Sequence, residues 1–81
     1  MVIKLTNATL VDRCLIGGTT EDGETLNIEL TEFYPTNNGW VVKGQWFSRV
    51  GCNLEASDSE IWRKLWTEMI QRNLKKKLTL N

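Results

Sequence analysis

The sequence predicts an α+β domain: an antiparallel β-meander of three to four strands, with one C-terminal amphipathic helix packed on one sheet face. Three observations carry this. Polar and apolar residues alternate over Glu24 to Tyr34, the period of a half-buried strand. Two short segments, Glu21-Asp22-Gly23 and Asn37-Asn38-Gly39, stand where hairpin loops belong, and glycine supplies the left-handed backbone such loops use. Beyond Asp58 the apolar spacing changes to three and four residues, through Ile61, Trp62, Leu65, Trp66, Met69, Ile70 and Leu74, which is the stripe of an amphipathic helix.

Taken in order, residues 2 to 5 allow a further short strand, and Thr9 to Ile16 forms the first full one. Gly17 and Gly18 after it read as permission for a bulge or bend. Glu24 to Tyr34 and Trp40 to Val50 follow, with Pro35 at a strand end. Three-residue loops pair Ile16 with Ile28, Cys14 with Leu30, Leu30 with Trp46 and Tyr34 with Val42. The even-numbered face is then apolar throughout: Leu10, Cys14, Ile16, Leu26, Ile28, Leu30, Tyr34, Val42, Trp46 and Val50. One cost is Asp12 opposite Glu32, because like charges across a strand pair repel. The helix runs from Asp58 to Lys75. Ser57 and Glu60 have the spacing of a capping box, and Glu60 with Lys64 and Glu68 with Arg72 form exposed pairs. Leu65, Trp66, Met69 and Ile70 are expected to cover the even face. Leu78-Thr79-Leu80 either returns to a sheet edge or frays.

Length and composition bound the rest. With 81 residues the chain has room for one core and a single domain over residues 1–81. A domain this small is only marginally stable alone, so a protein partner or a homodimer is a natural addition. Four tryptophans and 41% hydrophobic residues argue for a packed fold rather than disorder. No signal-like or membrane-length apolar run occurs, so the expectation is a cytoplasmic protein with no membrane partner. Cys14 and Cys52 are too few for a disulfide framework and read as unpaired, structural thiols.

Net charge is zero but unevenly distributed: residues 1–61 carry nine acids against four bases, and residues 62–81 six bases against one acid. Cations collected near a helix C-terminus are accounted for by the macrodipole. The same run, Arg72 with Lys75, Lys76 and Lys77, is the alternative nucleic-acid surface.

Chemistry is sparse. The chain has no histidine, and with it the commonest general base and the usual activator of serine or cysteine are missing. Glu29 and Glu32 fall on opposite faces of the expected strand, so they do not converge as a glycosidase pair does. Glu21-Asp22-Gly23-Glu24 lacks the ligand spacing of a calcium loop, and Gly17-Gly18-Thr19-Thr20 lacks the lysine and helix of a phosphate cradle. The expectation is no enzyme, and no catalytic, cofactor or metal site.

What remains is the odd-numbered face, which the helix would leave uncovered. Val11, Arg13, Leu15, Phe33, Val41, Lys43, Phe47 and Arg49 lie on it, with Val11 opposite Phe33 and Glu29 opposite Phe47. Three readings compete. The face binds a protein, aromatic and arginine residues being those enriched at interface centres. Or Phe33 and Phe47 stack on single-stranded nucleic acid. Or residues 1–8 or 76–81 fold back and bury the face. Glu29 in mid-sheet and zero net charge favour protein over a polyanion, and inhibitors or accessory proteins of phage or mobile-element type fit that description. In outline, a three-stranded meander followed by a helix resembles the plant AP2-type DNA-binding domain. Those sheets are rich in arginine where this one has Glu24, Glu29 and Glu32, and an outline transfers no function.

Overall fold

The computed structural model describes the backbone of residues 2–46 and 49–80, and the side chains of residues 2–46 and 51–72. Five strands, β1 (Val2–Asp12), β2 (Leu15–Thr20), β3 (Thr25–Thr36), β4 (Gly39–Trp46) and β5 (Arg49–Ala56), precede one helix, α1 (Glu60–Leu80). Neighbouring strands pair antiparallel, and β5 pairs in parallel with β1, from Val2↔Asn53 to Leu5↔Ala56. The result is a closed barrel, which corrects the expected meander of three to four strands. The closing pair is parallel by necessity: after four reversals the fifth strand runs in the direction of the first. Closure pairs most of the edges that a meander would leave exposed, although the β4–β5 ladder stops short of Trp40 and Val41.

Two strands were hidden inside the expected three. Thr9 to Ile16 is not continuous, because the chain reverses at Arg13-Cys14 and Asp12 pairs with Leu15. No glycine marks this turn. Asp12 does, accepting a hydrogen bond from the Arg13 N–H at 2.9 Å, as aspartate does at the first position of a turn. Trp40 to Val50 divides likewise into β4 and the start of β5. Residues 2–5, expected as a short separate strand, are the first part of the eleven-residue β1.

The expected register holds between β2 and β3, where Ile16 faces Ile28 across a loop closed by Gly23, whose φ is +87°. Between β3 and β4 the loop is Asn37-Asn38 alone, so Tyr34 pairs with Val41 rather than Val42, and the extra residue Thr31 shifts the register once more, placing Leu30 opposite Gly44 rather than Trp46. Thr36 secures this turn, donating to the Gly39 carbonyl at 2.9 Å and accepting from the Asn38 N–H at 3.2 Å. The feared Asp12–Glu32 clash does not arise, since Asp12 faces Leu15 and Glu32 faces Lys43.

Single extra residues reset which side chains point inward. Thr6 is unpaired between Leu5↔Thr20 and Asn7↔Thr19, and the buried residues of β1 change from Ile3 and Leu5 to Leu10. Thr31 does the same in β3, between Leu30↔Gly44 and Glu32↔Lys43. Inward positions there pass from Leu26, Ile28 and Leu30 to Phe33, leaving Tyr34 exposed.

The core holds Leu5, Ile16, Ile28, Cys52, Leu54, Trp62 and Leu65, with other buried aliphatics around them. Cys52 is therefore structural as expected, while Cys14, placed on the core face by its even number, is exposed in the β1–β2 turn. Trp46 is only partly buried, and the Val50 side chain lies outside the described residues. Two glycines let the barrel close tightly. A Cβ at Gly18 would lie 2.9 Å from Leu5 Cδ1, and one at Gly44 2.5 Å from Ile28 Cγ2 and 2.9 Å from the Glu29 carbonyl oxygen. Gly18 thus serves close approach; the bulges lie in β1 opposite.

Asp58 starts the helix, accepting from the Glu60 N–H at 3.0 Å, in place of the expected Ser57–Glu60 box. Glu60 pairs instead with Arg63 at 3.3 Å. Ser57 ties the preceding chain to β1, its N–H donating to the Leu5 carbonyl at 2.9 Å. Trp62 and Leu65 enter the core, Met69 is partly buried against it, and Ile70, expected to pack, is 41% exposed. Leu78-Thr79-Leu80 continues the helix rather than returning to a sheet edge. Among the described residues no helix is long and apolar enough to cross a membrane.

Leu65→Ala is expected to cost about 2–5 kcal/mol in urea unfolding, as truncation of a buried leucine does. Gly44→Ala should cost about 1–3 kcal/mol by overpacking. Gly17→Ala, whose Cβ would meet nothing closer than 3.6 Å, should cost much less; equal losses at the two glycines would refute the close approach of β4 to Ile28.

Candidate functional site

The residues expected on one uncovered face divide among different parts of the barrel. Phe33 is not on the outer surface. The Thr31 bulge turns it inward, where its ring lies 5.6 Å from Trp40, 6.0 Å from Trp62 and 5.4 Å from Trp66, centroid to centroid, the last two edge-on. Trp40 and Trp66 complete the cluster at 6.0 Å. Edge-to-face and tilted rings at these separations attract beyond their buried area, so this cluster fastens the helix to the β3–β4 hairpin.

Val11, Arg13 and Leu15 surround the β1–β2 turn. Val11 is 56% exposed, Arg13 is exposed and Leu15 half-buried. Beside them a surface cavity of about 320 Å³ is lined by Asn7, Thr9, Gly17, Thr19, Thr25 and Asn27, with Gly18 and Leu26 beneath. Its walls carry hydroxyls and amides and no charge. Phe47 lies outside the described residues, as do the side chains of Arg49, Lys75, Lys76 and Lys77. Arg72 is exposed on the helix.

Val41 and Lys43 remain, and they share the outer face of β3 and β4 with Tyr34 and Glu32. Tyr34 is directly opposite Val41, and Glu32 opposite Lys43; the Lys43 ammonium is 3.2 Å from the Glu32 carboxylate. Tyr34 is 44% exposed. Its even number suggested a core position, and only the bulge reverses that. Next to this face β4 and β5 part company. Their ladder includes Lys43↔Asn53 and Gly44↔Cys52 but does not extend to Trp40 and Val41. A cavity of about 250 Å³ opens there, lined by Trp40, Val41, Val42, Lys43, Asn53, Leu54 and Glu55. Trp40 and Val41, both half-buried, give it an apolar wall, Lys43, Asn53 and Glu55 form a polar rim, and Val42 and Leu54 belong to the core behind it. Apolar wall, polar rim and an adjoining exposed aromatic are the makings of a recognition site.

A third cavity, of about 290 Å³, lies along Glu60, Arg63, Lys64, Thr67, Glu68 and Gln71 of the helix, a mixed-charge solvated face. Among the described residues no three acidic or thiol side chains gather where they could hold a metal ion. No family model, no curated protein and no solved structure matches the chain.

Phe33→Ala, which an uncovered-face position would leave harmless to folding, is expected to destabilise the domain by about 2 kcal/mol or more. The same substitution should quench or shift the tryptophan near-ultraviolet circular dichroism. Wild-type stability in this variant would show that the aromatic cluster does not hold the helix.

Proposed function

We propose that this chain is a non-catalytic binding module that engages a protein partner through the outer surface of β3 and β4, at Tyr34, Val41 and Lys43 beside the β4–β5 seam. The observation that carries this reading is the seam itself: a surface cavity walled by the half-buried Trp40 and Val41 lies next to an exposed tyrosine. Tyrosine is among the residues that contribute most at interface centres, about 2 kcal/mol or more when fully buried there. Because the barrel is closed, the domain has no open sheet face of the kind an uncurled meander would offer. Absence of histidine from the sequence continues to weigh against general acid–base chemistry.

The nucleic-acid alternative draws less support. Phe33, one of its two stacking residues, is engaged with three tryptophans, and Lys43 is paired with Glu32. A strand that tracks phosphates needs cations that are not already neutralised.

Affinity capture from the native cell, run with and without nuclease, tests the reading. The captured protein should survive nuclease treatment, and Tyr34→Ser combined with Val41→Ser should lower its recovery about tenfold or more without unfolding the domain. Lys43→Ala should mainly slow association. Undiminished recovery by the folded double variant would refute this surface, and loss of the captured material on nuclease treatment would favour nucleic acid.

A further inference from the structure

We infer that the β4–β5 seam receives an extended segment of the partner protein, which adds along the edge of β4 and sets a lysine or arginine beside Glu55. This rests on the protein-binding reading above and narrows it to one kind of occupant. The direction of the main-chain groups follows from the hairpin. A two-residue loop is flanked by a hydrogen-bonded pair, here Thr36 and Gly39, and such pairs recur at every second position, hence at Tyr34/Val41 and Glu32/Lys43. Pro35, which has no N–H to donate, falls on the alternate row opposite Trp40, where none is needed. The N–H and C=O of Trp40 therefore point away from β3, into the seam.

No ladder partner meets them there among the described residues. On the opposite bank Glu55 and Ala56 pair with Lys4 and Leu5 of β1 and not with β4. Main-chain donors and acceptors along a strand edge are matched by one class of ligand, another extended chain, whose alternate side chains then find the pockets beside it. Trp40 and Val41, half-buried at the cavity wall, supply the apolar contact.

The rim supplies a charge preference. Lys43 is engaged by Glu32 at 3.2 Å, and Lys4, the ladder neighbour of Glu55, by Glu21 at 3.4 Å. Glu55 is exposed and has no ion-pair partner among the described residues. A groove whose neighbouring cations are occupied and whose carboxylate is not complements a basic side chain and disfavours an acidic one. Occupancy would also be visible from within, since Trp40 lines the cavity and touches Trp66.

A phage-displayed library of random decapeptides, selected on the intact chain, tests the inference. Enriched peptides, synthesised and titrated by tryptophan fluorescence, should share a lysine or arginine flanked by alternating apolar residues. Glu55→Lys should weaken them about tenfold or more, and Glu55→Gln less. Methylating alternate peptide nitrogens should abolish binding, while methylating the intervening ones should not. Circular dichroism establishes that each variant is folded, and Glu55→Gln keeps the charge test available if Glu55→Lys is not. Failure to enrich any peptide, or binding indifferent to both Glu55 substitutions and backbone methylation, overturns the proposal. If peptides fail while capture of the intact partner still depends on Tyr34 and Val41, the extended occupant is wrong and the surface stands; if both fail, both fall.

Discussion

A strand changes the face it presents only by gaining or losing a residue against its neighbour. In this domain Thr6 and Thr31 are such additions, and the surface described above follows from them. If Thr31 were paired in regular register instead of bulging, Phe33 would point outward and the helix would lose the ring on which Trp62 and Trp66 rest. Tyr34 would point inward, and the outer face of β3 would lose its exposed aromatic. If Thr6 were paired in regular register, Ile3 and Leu5 would not share the interior with Leu10.

Packing then acts on a barrel of small circumference. Ile16 and Ile28 face each other at its centre, and the wall comes close enough that Gly18 and Gly44 have no space for a side chain without displacing Leu5 or Ile28. The helix adds Trp62 and Leu65 to the same core, so barrel and helix share one interior.

At the seam the strand pairing is incomplete. β5 is shared between two neighbours, pairing with β4 near its start and with β1 near its end, and the β4–β5 ladder does not reach Trp40. The same residue that borders the gap belongs to the aromatic cluster fastening the helix. A ligand in the gap would therefore press on a group that the helix also touches, which gives the proposed site a direct mechanical route to α1.

The sequence by itself determined the local structure: the period-two runs, the turn at Gly23 and hence Ile16 opposite Ile28, and a helix following Asp58 with Leu65 on its buried side. These are set by contacts and torsions within a few residues, which periodicity and turn chemistry express directly. It also singled out Val41 and Lys43 on the outer surface. Only the tertiary structure decided that Thr9 to Ile16 and Trp40 to Val50 each contain a reversal, that β5 closes onto β1, and that Phe33 and Tyr34 exchange roles. A polar turn built on Asp12 carries no glycine to announce it. A bulge is one unpaired residue whose existence depends on the partner strand's register, and the pairing of residues 2–5 with residues 53–56 joins segments some fifty positions apart, beyond the reach of any local pattern.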